Sequence, residues 1–398
     1  MRLADLKRVE VAGAWKNGTL AARLTRGSDH VVFAYEGDYT GPPISVGLPL
    51  DGGEVRLSGG ALPPFFSGLL PEGRRLTAIR RATKTSADDE LTLLLAVGGD
   101  AIGDVQVLPI DATPGVSTEP AGPAIAEADF SELFARSIAA DPADLVAIAG
   151  AQDKVSGRMI TLPMTHAGAA WILKLDPPEF PHLVANEAFF LAAARASGLA
   201  VADAEVVHDR TGRPGLLVRR FDRVAVDGRL RALAQEDGCQ VLSRYPADKY
   251  RLTTEEVLGG LAAHTGAPIV AARTLLQQFA FAYLTCNGDA HAKNFSIVHD
   301  GEWRVAPAYD LPSSQPYGDH VMAMTIQGKE REDIGRSDFL ALGRAGSIPP
   351  KATARVLDEL LAAMPSWLDR LGELPFDSRR IHKLQKACAY RATRLQSG

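Results

Sequence analysis

The feature that most constrains the fold is a change of hydrophobic pattern along the 398-residue chain. Over the first hundred or so residues, short β-like runs alternate with turn signals, and two helical stretches, Pro64–Ala82 and Ser86–Val97, lie between them. Beyond about residue 250, apolar residues recur almost only at helical spacing, as in Thr254–Thr265, Ile269–Thr285 and Ser378–Leu395. The pattern predicts an α+β chain in which sheet-rich and helical parts are separate.

The chain divides into four predicted segments. Residues 1–112 form a β-rich N-terminal cap subdomain, and residues 113–127, rich in Pro, Gly and Ala, form a linker. Residues 128–240 form an α/β lobe, and residues 241–398 form a helical lobe that a single hairpin interrupts. In the cap, apolar runs bounded by turn signals predict strands at Val9–Trp15, His30–Tyr35, Ile44–Leu48 and Val105–Pro109.

The composition is that of a globular chain and excludes several classes of protein. Hydrophobic residues make up 46% and charged residues 23%, so the chain is neither disordered nor collagen-like. Its longest apolar run, Leu91–Val97, is too short to span a bilayer, and Met1–Arg8 is charged where a signal peptide is apolar. Three scattered cysteines fit a reducing cytoplasm. The net charge of −5 argues against a chain that coats nucleic acid by itself.

The strongest chemical signal is the octet Asn287–Asn294, which has the sequence NGDAHAKN. Asp289 precedes Asn294 by five residues, which is the D-x-x-x-x-N spacing of a kinase catalytic loop. A carboxylate can orient an attacking hydroxyl and accept its proton, and a nearby amide oxygen is a hard ligand for Mg²⁺. The octet therefore indicates phosphoryl transfer with Asp289 as the base.

A predicted hairpin adds weight to this spacing. Two β-like runs, Phe295–Val298 and Trp303–Ala306, are joined by a segment that contains Asp-Gly, a favoured hairpin turn. A hairpin brings its ends together, so Asn294 before it and Asp310 after it should converge as Mg²⁺ ligands. The alternative is that Asp289, Asn294 and Asp310 are ordinary capping and turn residues. This alternative is the better explanation for any one of them, but not for all three around one hairpin.

Lysine and histidine side chains supply further candidates. Lys293 is predicted to lie on the phosphate side, where an ammonium stabilises developing charge, with a solvated lysine as the alternative. His291 could act as an acid or base, although a structural hydrogen bond is the better interpretation. Lys174 ends an apolar strand, and Glu187 in the next helix is its natural partner, as in the Lys–Glu pair of protein kinases. A solvated lysine and an exposed glutamate are the alternative.

Two polar segments complete the predicted nucleotide site. The loop Ala149-Gly150-Ala151-Gln152-Asp153-Lys154 joins two predicted strands with small residues, so its backbone N–H groups could approach phosphates. It is neither a Walker A loop nor a G-x-G-x-x-G loop. Gln235-Glu236-Asp237 lies near the predicted junction of the lobes, where it could offer backbone groups to adenine or serve only as a polar connector.

Together these stretches resemble the HipA-like toxin kinases, a branch of the protein-kinase-like fold. Besides the octet and the two polar segments, the resemblance rests on Arg220-Phe221-Asp222-Arg223, Cys239-Gln240, Tyr309-Asp310, Leu48-Pro49-Leu50 and Leu69-Leu70-Pro71-Glu72. It spans nearly the whole chain. It implies a two-lobed fold in which residues 128–240 are the nucleotide-binding lobe and residues 241–398 the catalytic lobe.

The resemblance further implies an ATP- and Mg²⁺-dependent serine/threonine protein kinase. Asp289 would be the catalytic base, Asn294 and Asp310 the Mg²⁺ ligands, Lys174 the ATP lysine, and residues 149–154 the phosphate loop. The family usually pairs with a helix-turn-helix antitoxin that binds operator DNA. Known members phosphorylate aminoacyl-tRNA synthetases, so a protein of that kind is the implied substrate.

The sequence departs from the family pattern at one position, and two other functions compete with the protein kinase. Many members autophosphorylate a serine just before the phosphate loop, but Ala147 stands at that position here and cannot carry phosphate. One other function is a nucleotide-holding corepressor that grips a DNA-binding antitoxin without turnover. The joint presence of Asp289, Asn294, Asp310 and Lys174 argues against it. The second is a small-molecule kinase. The cap argues against it, but only through the family resemblance.

Overall fold

A computed structural model of the protein describes residues 2–115, 125–139, 159–166, 168–226, 229–331 and 333–396. Within these residues the chain forms four antiparallel sheets and twelve α-helices, as the predicted α+β class requires. The loop 149–154 and Ala147 lie outside the described residues, as does most of the predicted linker.

The N-terminal cap is built on a five-stranded antiparallel sheet. Its strands are β1 Val11–Lys16, β2 Thr19–Arg26, β3 His30–Tyr35, β4 Val55–Ser58 and β5 Val105–Pro109. Their order is β4-β3-β2-β1-β5, and β3 and β5 have the predicted boundaries. Three helices accompany the sheet, α1 Pro64–Gly68, α2 Gly73–Thr83 and α3 Glu90–Val97. Apolar side chains of strands and helices form one core, centred on Phe33 and Phe66.

The predicted strand Ile44–Leu48 is wrong. The segment forms a turn with a single bridge between its ends instead of joining a sheet. The amide of Ile44 donates to the Tyr35 hydroxyl, and the amide of Val46 donates to the Glu236 carboxylate, each at 2.8 Å. Because side chains satisfy these amides, the segment needs no neighbouring strand.

The predicted single helix Pro64–Ala82 is also wrong, because the chain forms two helices there. Pro71 has no amide hydrogen to donate, and Gly73 adopts φ +59, so the helix breaks between α1 and α2. The break leaves Glu72 immediately before α2, where its side chain faces the helical lobe.

The α/β lobe contains a four-stranded antiparallel sheet. Its strands are β6 Ile160–His166, β7 Ala169–Leu175, β8 Ala204–His208 and β9 Pro214–Arg219, in the order β6-β7-β9-β8. The helices of this lobe are α4 Phe130–Ala139 and α5 Leu183–Ala196. Helix α5 ends just before Gly198, whose φ of +80 is a left-handed conformation that glycine adopts without strain. A short hairpin follows, with strands β10 Arg223–Val226 and β11 Arg229–Ala232.

A three-stranded sheet spans the predicted boundary between the α/β lobe and the helical lobe. Its strands are β12 Ala234–Asp237, β13 Ser296–Asp300 and β14 Glu302–Val305. The last two form the predicted hairpin, and Gly301 in its turn adopts φ +81. The helices are α6 Gly238–Val241, α7 Thr254–Ala263, α8 Pro268–Leu284, α9 Arg336–Ala345, α10 Pro350–Ala363, α11 Pro365–Leu368 and α12 Ser378–Gln396. Their apolar faces enclose the largest core in the described part of the chain.

Short 3₁₀ helices lie between these elements. In the described ranges they are Leu3–Arg8, Gly98–Asp100, Ile125–Glu127, Pro246–Asp248, Ala292–Asn294, Gln315–Tyr317 and Leu371–Glu373. Among all helices of the described ranges, none has both the length and the apolar character needed to cross a membrane.

Buried polar contacts fix the cap to the chain around β9 and β12. Glu236 of β12 accepts hydrogen bonds from the Ser45 hydroxyl at 2.6 Å and the Val46 amide at 2.8 Å. Asp222, after β9, accepts a hydrogen bond from the Gly103 amide at 2.9 Å. A buried polar group left without its partner costs free energy, so these contacts hold the cap in a defined position against the lobes.

Candidate functional site

A cavity lies where the cap, the α/β lobe and the helical lobe meet. Its lining comes from all three parts and consists of Gly68, Leu69, Ile102, Met159, Thr161, Ile172, Lys174, Val218, Arg219, Arg220, Phe221, Asp222, Gln235, Asp237, Gln240, His291, Lys293, Asn294, Tyr309 and Asp310. The sequence-predicted residues in this lining are Lys174, Gln235, Asp237, His291, Lys293, Asn294 and Asp310. Asp289 and Glu187 lie directly behind it, bonded to Asn294 and Lys174 respectively. The fold therefore gathers residues that are far apart in sequence.

Lys174, near the end of β7, is held between two carboxyl groups, which with it form the Lys174 cluster. Its Nζ lies 2.5 Å from Oε1 of Glu187 in α5 and 2.9 Å from Oδ1 of Asp310. Burial disfavours the ammonium, but the two carboxyl groups outweigh burial and raise the pKa of Lys174. Glu187 is fully buried, and that burial raises the pKa of its carboxyl. The predicted contact between lysine and glutamate is present, and Asp310 shares it.

Asp289 lies on the loop between α8 and β13, residues 285–295, here named the Asp289 loop. Tyr250 donates a hydrogen bond to Asp289 Oδ1 at 2.8 Å, and the Asp289 amide donates to Asn287 Oδ1 at 3.0 Å. At Gly288 an added Cβ would lie 2.5 Å from the carbonyl oxygen of Val321, so only glycine fits. These contacts fix the direction of the Asp289 carboxylate.

The hairpin β13–β14 brings Asn294 and Asp310 to the same cavity. Asn294 Nδ2 donates to the carbonyl of Asp289 at 2.9 Å, which leaves its amide oxygen as the atom that can coordinate a cation. The Tyr309 hydroxyl donates to the carbonyl of Lys293 at 2.9 Å and so ties together the segments before and after the hairpin. Asp310 adopts φ +58, a conformation uncommon outside glycine that often marks a functional position.

The donor set of Asn294 and Asp310 fits Mg²⁺. Both side chains offer oxygen, and Mg²⁺ is usually bound by one or two protein groups, with the other oxygens from water and substrate phosphates. No group of three or more His, Cys, Asp and Glu side chains able to hold a metal occurs within the described ranges. A Mg²⁺ ion shared with phosphates needs no such group.

His291 is buried beside these residues and has an unsatisfied ring nitrogen. Its Nδ1 has no hydrogen-bond partner among the residues that the structure describes, and its ring contacts the Tyr250 ring edge to face with centroids 5.1 Å apart. Burial, and next the charge of Lys249, lower the pKa of His291 to about 3. The imidazole is therefore neutral near pH 7, which suits a hydrogen-bonding role better than that of a charged acid.

Lys293 faces the cap as well as the cavity. Its Nζ lies 2.9 Å from Glu72 Oε1 and 3.3 Å from the carbonyl oxygen of Gly68. The sequence predicts a phosphate-side positive charge at this position, whereas in the structure the cap binds the ammonium.

The segment predicted to meet adenine divides between two surroundings. Gln235 and Asp237 line the cavity, whereas the Glu236 side chain is directed at the cap, as described above. The backbone of this segment pairs with β13, and the Asp237 carboxylate caps α6 by accepting from the Cys239 and Gln240 amides. Burial raises the pKa of Asp237 to about 6.

Family models match both parts of the chain. The HipA N-terminal domain model matches residues 12–108, and the model of the HipA-like C-terminal domain matches residues 146–368, over half of the chain. The chain belongs to the HipA-like family.

Individual relatives of this HipA-like chain agree with the family models. Y4mE of Sinorhizobium fredii, a protein assigned as a kinase, is 31% identical over 96% of this chain and 98% of its own length. The serine/threonine-protein kinase toxin HipA of Shewanella oneidensis is 29% identical over 78% of this chain and 76% of its own. A solved complex of the Shewanella toxin–antitoxin proteins HipA and HipB with operator DNA contains a chain with the same fold. Its TM-score is 0.77 at 23% identity, over 96% of each chain.

Sequence reasoning assigned no role to several residues that the HipA-like fold brings to the site. The end of β9 lines the cavity through residues 218–222, and the Phe221 ring lies 5.6 Å from that of Tyr309, centroid to centroid. Glu72, Lys249 and Tyr250 surround the Asp289 loop. Phe221 and Glu72 stand in stretches that carry the family resemblance, which was the one available signal. Lys249 and Tyr250 stand in no recognised motif.

Proposed function

We propose that this HipA-like chain is an ATP- and Mg²⁺-dependent serine/threonine protein kinase and the toxin of a toxin–antitoxin pair. The observation that carries the proposal is the convergence of Lys174, Asn294 and Asp310 on one cavity, with Asp289 bonded to Asn294 behind it. These are the side chains that phosphoryl transfer requires: a base, oxygen ligands for Mg²⁺ and a phosphate-binding cation. Relatives named as kinases support the same class of reaction.

Asp289 is the proposed catalytic base. It would orient the serine or threonine hydroxyl of the substrate and accept its proton as the new O–P bond forms, while the bond from the γ-phosphorus of ATP to the bridging oxygen breaks and ADP leaves. The hydrogen bond from Tyr250 orients the carboxylate before the substrate arrives, so less reorganisation is needed during the reaction.

Lys174, Asn294 and Asp310 are proposed to hold the phosphates and the metal ion. The Lys174 ammonium, kept charged by Glu187 and Asp310, suits the binding of phosphate oxygens. Bound Mg²⁺ would neutralise negative charge on the phosphates. Asn294 is kept in place by its bond to the Asp289 backbone, which couples the metal ligand to the base.

The nucleotide base is proposed to lie against β7 and β9. Ile172, Val218 and Phe221 supply apolar lining there, and the polar residues Arg219, Arg220 and Asp222 also line the cavity. Apolar walls with a few convergent polar groups are typical of such sites. Gln235 and Asp237 of the predicted adenine segment line the same cavity.

The proposed partner is a helix-turn-helix antitoxin, which would contact DNA on behalf of the pair. The complex of HipA, HipB and operator DNA supports this for the family. The net charge of −5 fits a chain that reaches DNA mainly through a partner. The proposed substrate is a cytoplasmic protein, by family resemblance an aminoacyl-tRNA synthetase.

Incubation of the purified chain with labelled ATP·Mg²⁺ and a lysate of the host, followed by peptide identification, tests the proposal. We expect label on serine or threonine of a protein, and at least about 10²-fold less of it with Asp289→Asn, which keeps the shape but loses the base. ATP binding without transfer would contradict the proposal and favour the corepressor. Label confined to small molecules would favour the small-molecule kinase.

A further inference from the structure

A buried ion cluster joins the cap to the Asp289 loop. Glu72, Lys249 and Lys293 form it and are named the Glu72 cluster. Glu72 Oε2 lies 2.6 Å from Lys249 Nζ, and Glu72 Oε1 lies 2.9 Å from Lys293 Nζ. The side chains of Glu72, Lys249 and Lys293 are 9%, 0% and 4% exposed. Each oxygen of the carboxylate binds a different lysine, so one glutamate of the cap bridges two separate segments of the helical lobe.

Each lysine of the cluster stands next to a residue of the proposed reaction. Lys249 directly precedes Tyr250, whose hydroxyl donates to Asp289. Lys293 directly precedes Asn294, the proposed metal ligand. A displacement of either lysine therefore moves the support of the base or the ligand of the metal.

Contacts of the backbone strengthen this link. The carbonyl of Lys249 accepts a hydrogen bond from the Ala292 amide at 3.2 Å, inside the Asp289 loop. The carbonyl of Lys293 accepts the bond from Tyr309. The two lysines are thus attached to the loop through both main chain and side chain, and their shared anchor is the Glu72 carboxylate.

The charges explain why the anchor must be ionised. Burial opposes a carboxylate at this position, but the two ammonium groups outweigh burial and lower the pKa of Glu72 to about 2. Without the carboxylate, Lys249 would lose its ion pair and Lys293 would keep only its contact with the Gly68 carbonyl, so two buried ammonium groups would lack a bonded counter-ion, which is strongly unfavourable. The loop would then have to move for either lysine to reach water.

We infer that Glu72 is a positioning residue, through which the cap holds the Asp289 loop in its reactive geometry. The inference rests on the proposed kinase function and makes the cap part of the active site. Gly68 and Leu69 of the cap also line the cavity, which places this same segment of the cap at the site.

The test compares Glu72→Gln with the parent, both as full chains. A loop displaced by about 1 Å can cost about 10²-fold in rate, so we expect kcat to fall by that factor. Glu72 does not line the cavity, so the affinity for a fluorescent ATP analogue, measured without Mg²⁺ so that the proposed metal ligand Asn294 makes no contribution, should change by less than about threefold. Glu72→Asp keeps the charge but is shorter, and it should recover part of the lost kcat.

Asp104→Asn is the matched control. Asp104 is a buried carboxylate of the cap whose Oδ1 lies 2.9 Å from Lys16 Nζ, with both side chains 6% exposed or less, and it touches no part of the Asp289 loop. Its loss should lower Tm to a similar extent as Glu72→Gln while kcat stays parental.

The outcomes separate the inference from the function on which it rests. A parent chain without phosphotransfer removes the proposed function and the inference with it. An active parent, together with a folded Glu72→Gln variant of parental kcat, overturns the inference alone, as does an Asp104→Asn variant that loses as much kcat. If Glu72→Gln does not fold, Glu72→Asp decides: reduced kcat with unchanged ATP affinity supports the inference, and parental kcat overturns it.

Discussion

The two ion clusters beside the cavity have opposite arrangements of charge. In the Lys174 cluster one ammonium lies between two carboxyl groups, and in the Glu72 cluster one carboxylate lies between two ammonium groups. Their accessibility differs as well. Asp310 of the first is 25% exposed, whereas no side chain of the second exceeds 9%.

The difference in charge and exposure indicates that the two clusters have different roles. A cluster with excess carboxyl groups and one accessible member can take up a divalent cation and exchange partners with phosphates. A closed cluster, in which every charge is buried and paired, can only hold its segments together. We therefore propose that the Lys174 cluster binds ligands and that the Glu72 cluster positions the Asp289 loop.

The largest expected effect is that of Asp310→Asn, which removes charge from the accessible cluster. Phosphotransfer should fall by about 10³-fold, because charge stabilisation by the metal is worth several kcal/mol. Tm should stay near that of the parent, since Lys174 keeps Glu187 as a partner. Initial rates of label transfer and scanning fluorimetry measure the two quantities. Asp300→Asn, an exposed carboxylate of β13 paired with Arg231, is the control and should keep the parental rate.

The next effect concerns stability and the closed cluster. Lys249→Met should lower the free energy of unfolding by about 3 kcal/mol, because it breaks a buried ion pair. Arg355→Met, which breaks the exposed pair with Glu359, should cost less than about 1 kcal/mol. Urea denaturation of both variants measures the difference. Equal losses would show that the Glu72 cluster is no tighter than a surface pair.

A smaller effect is expected for Tyr250, which follows Lys249 of the Glu72 cluster and donates a hydrogen bond to Asp289. Tyr250→Phe removes the hydroxyl that orients Asp289, and a hydrogen bond to a charged group is worth about 1.5–3 kcal/mol, so kcat should fall at least about 10-fold. KM for ATP should not change, because Tyr250 does not line the cavity. Tyr39→Phe, which removes an exposed hydrogen bond in the cap, should leave kcat unaltered. A parental kcat in Tyr250→Phe would show that the link from Lys249 through Tyr250 to Asp289 does not contribute to the rate.

The smallest expected effect is on the pH dependence of kcat. The pKa of His291 is lowered to about 3, so His291 gives no inflection near pH 6.5, and the kcat profiles of parent and His291→Gln should have the same shape above pH 5.5. Stability does depend on the protonation of His291. Below pH 6.5 the histidine is protonated in the unfolded state but not in the folded state, so the free energy of unfolding falls as pH drops towards 3. Tm measured at pH 7.5 and 5.0 should therefore differ less in the variant. An inflection near pH 6.5 that the variant loses would contradict this assignment.

The two clusters also differ in how far sequence predicts them. The proposed base and the proposed Mg²⁺ ligands stand at a recognisable spacing around one hairpin. Lys174 stands near the end of an apolar strand, and Glu187 lies in the helix that follows. Local patterns of this kind can be recognised in the sequence. Glu72 is separated from Lys249 by 177 residues and from Lys293 by 221, and no periodicity or spacing connects them. Only the three-dimensional packing shows that contact.

The same reason explains what was predicted of the fold. Strands β3 and β5 and the helix α12 follow local hydrophobic patterns and were found at or near the predicted boundaries. Ile44–Leu48 has an equally apolar pattern, but its amides are satisfied by Tyr35 and by Glu236, 191 residues away from Ser45. Tertiary contacts of this kind override local propensity.

The long separation within the Glu72 cluster has a consequence during protein synthesis. A ribosome that adds about 5–20 residues per second makes Glu72 roughly 10–45 s before the two lysines that neutralise it. Over that interval the nascent chain contains Glu72 without the lysines that pair with it, and Asp289 has not yet been translated. The proposed catalytic geometry can form only after β13 has left the ribosome, so a nascent chain that ends before that point would lack the proposed activity.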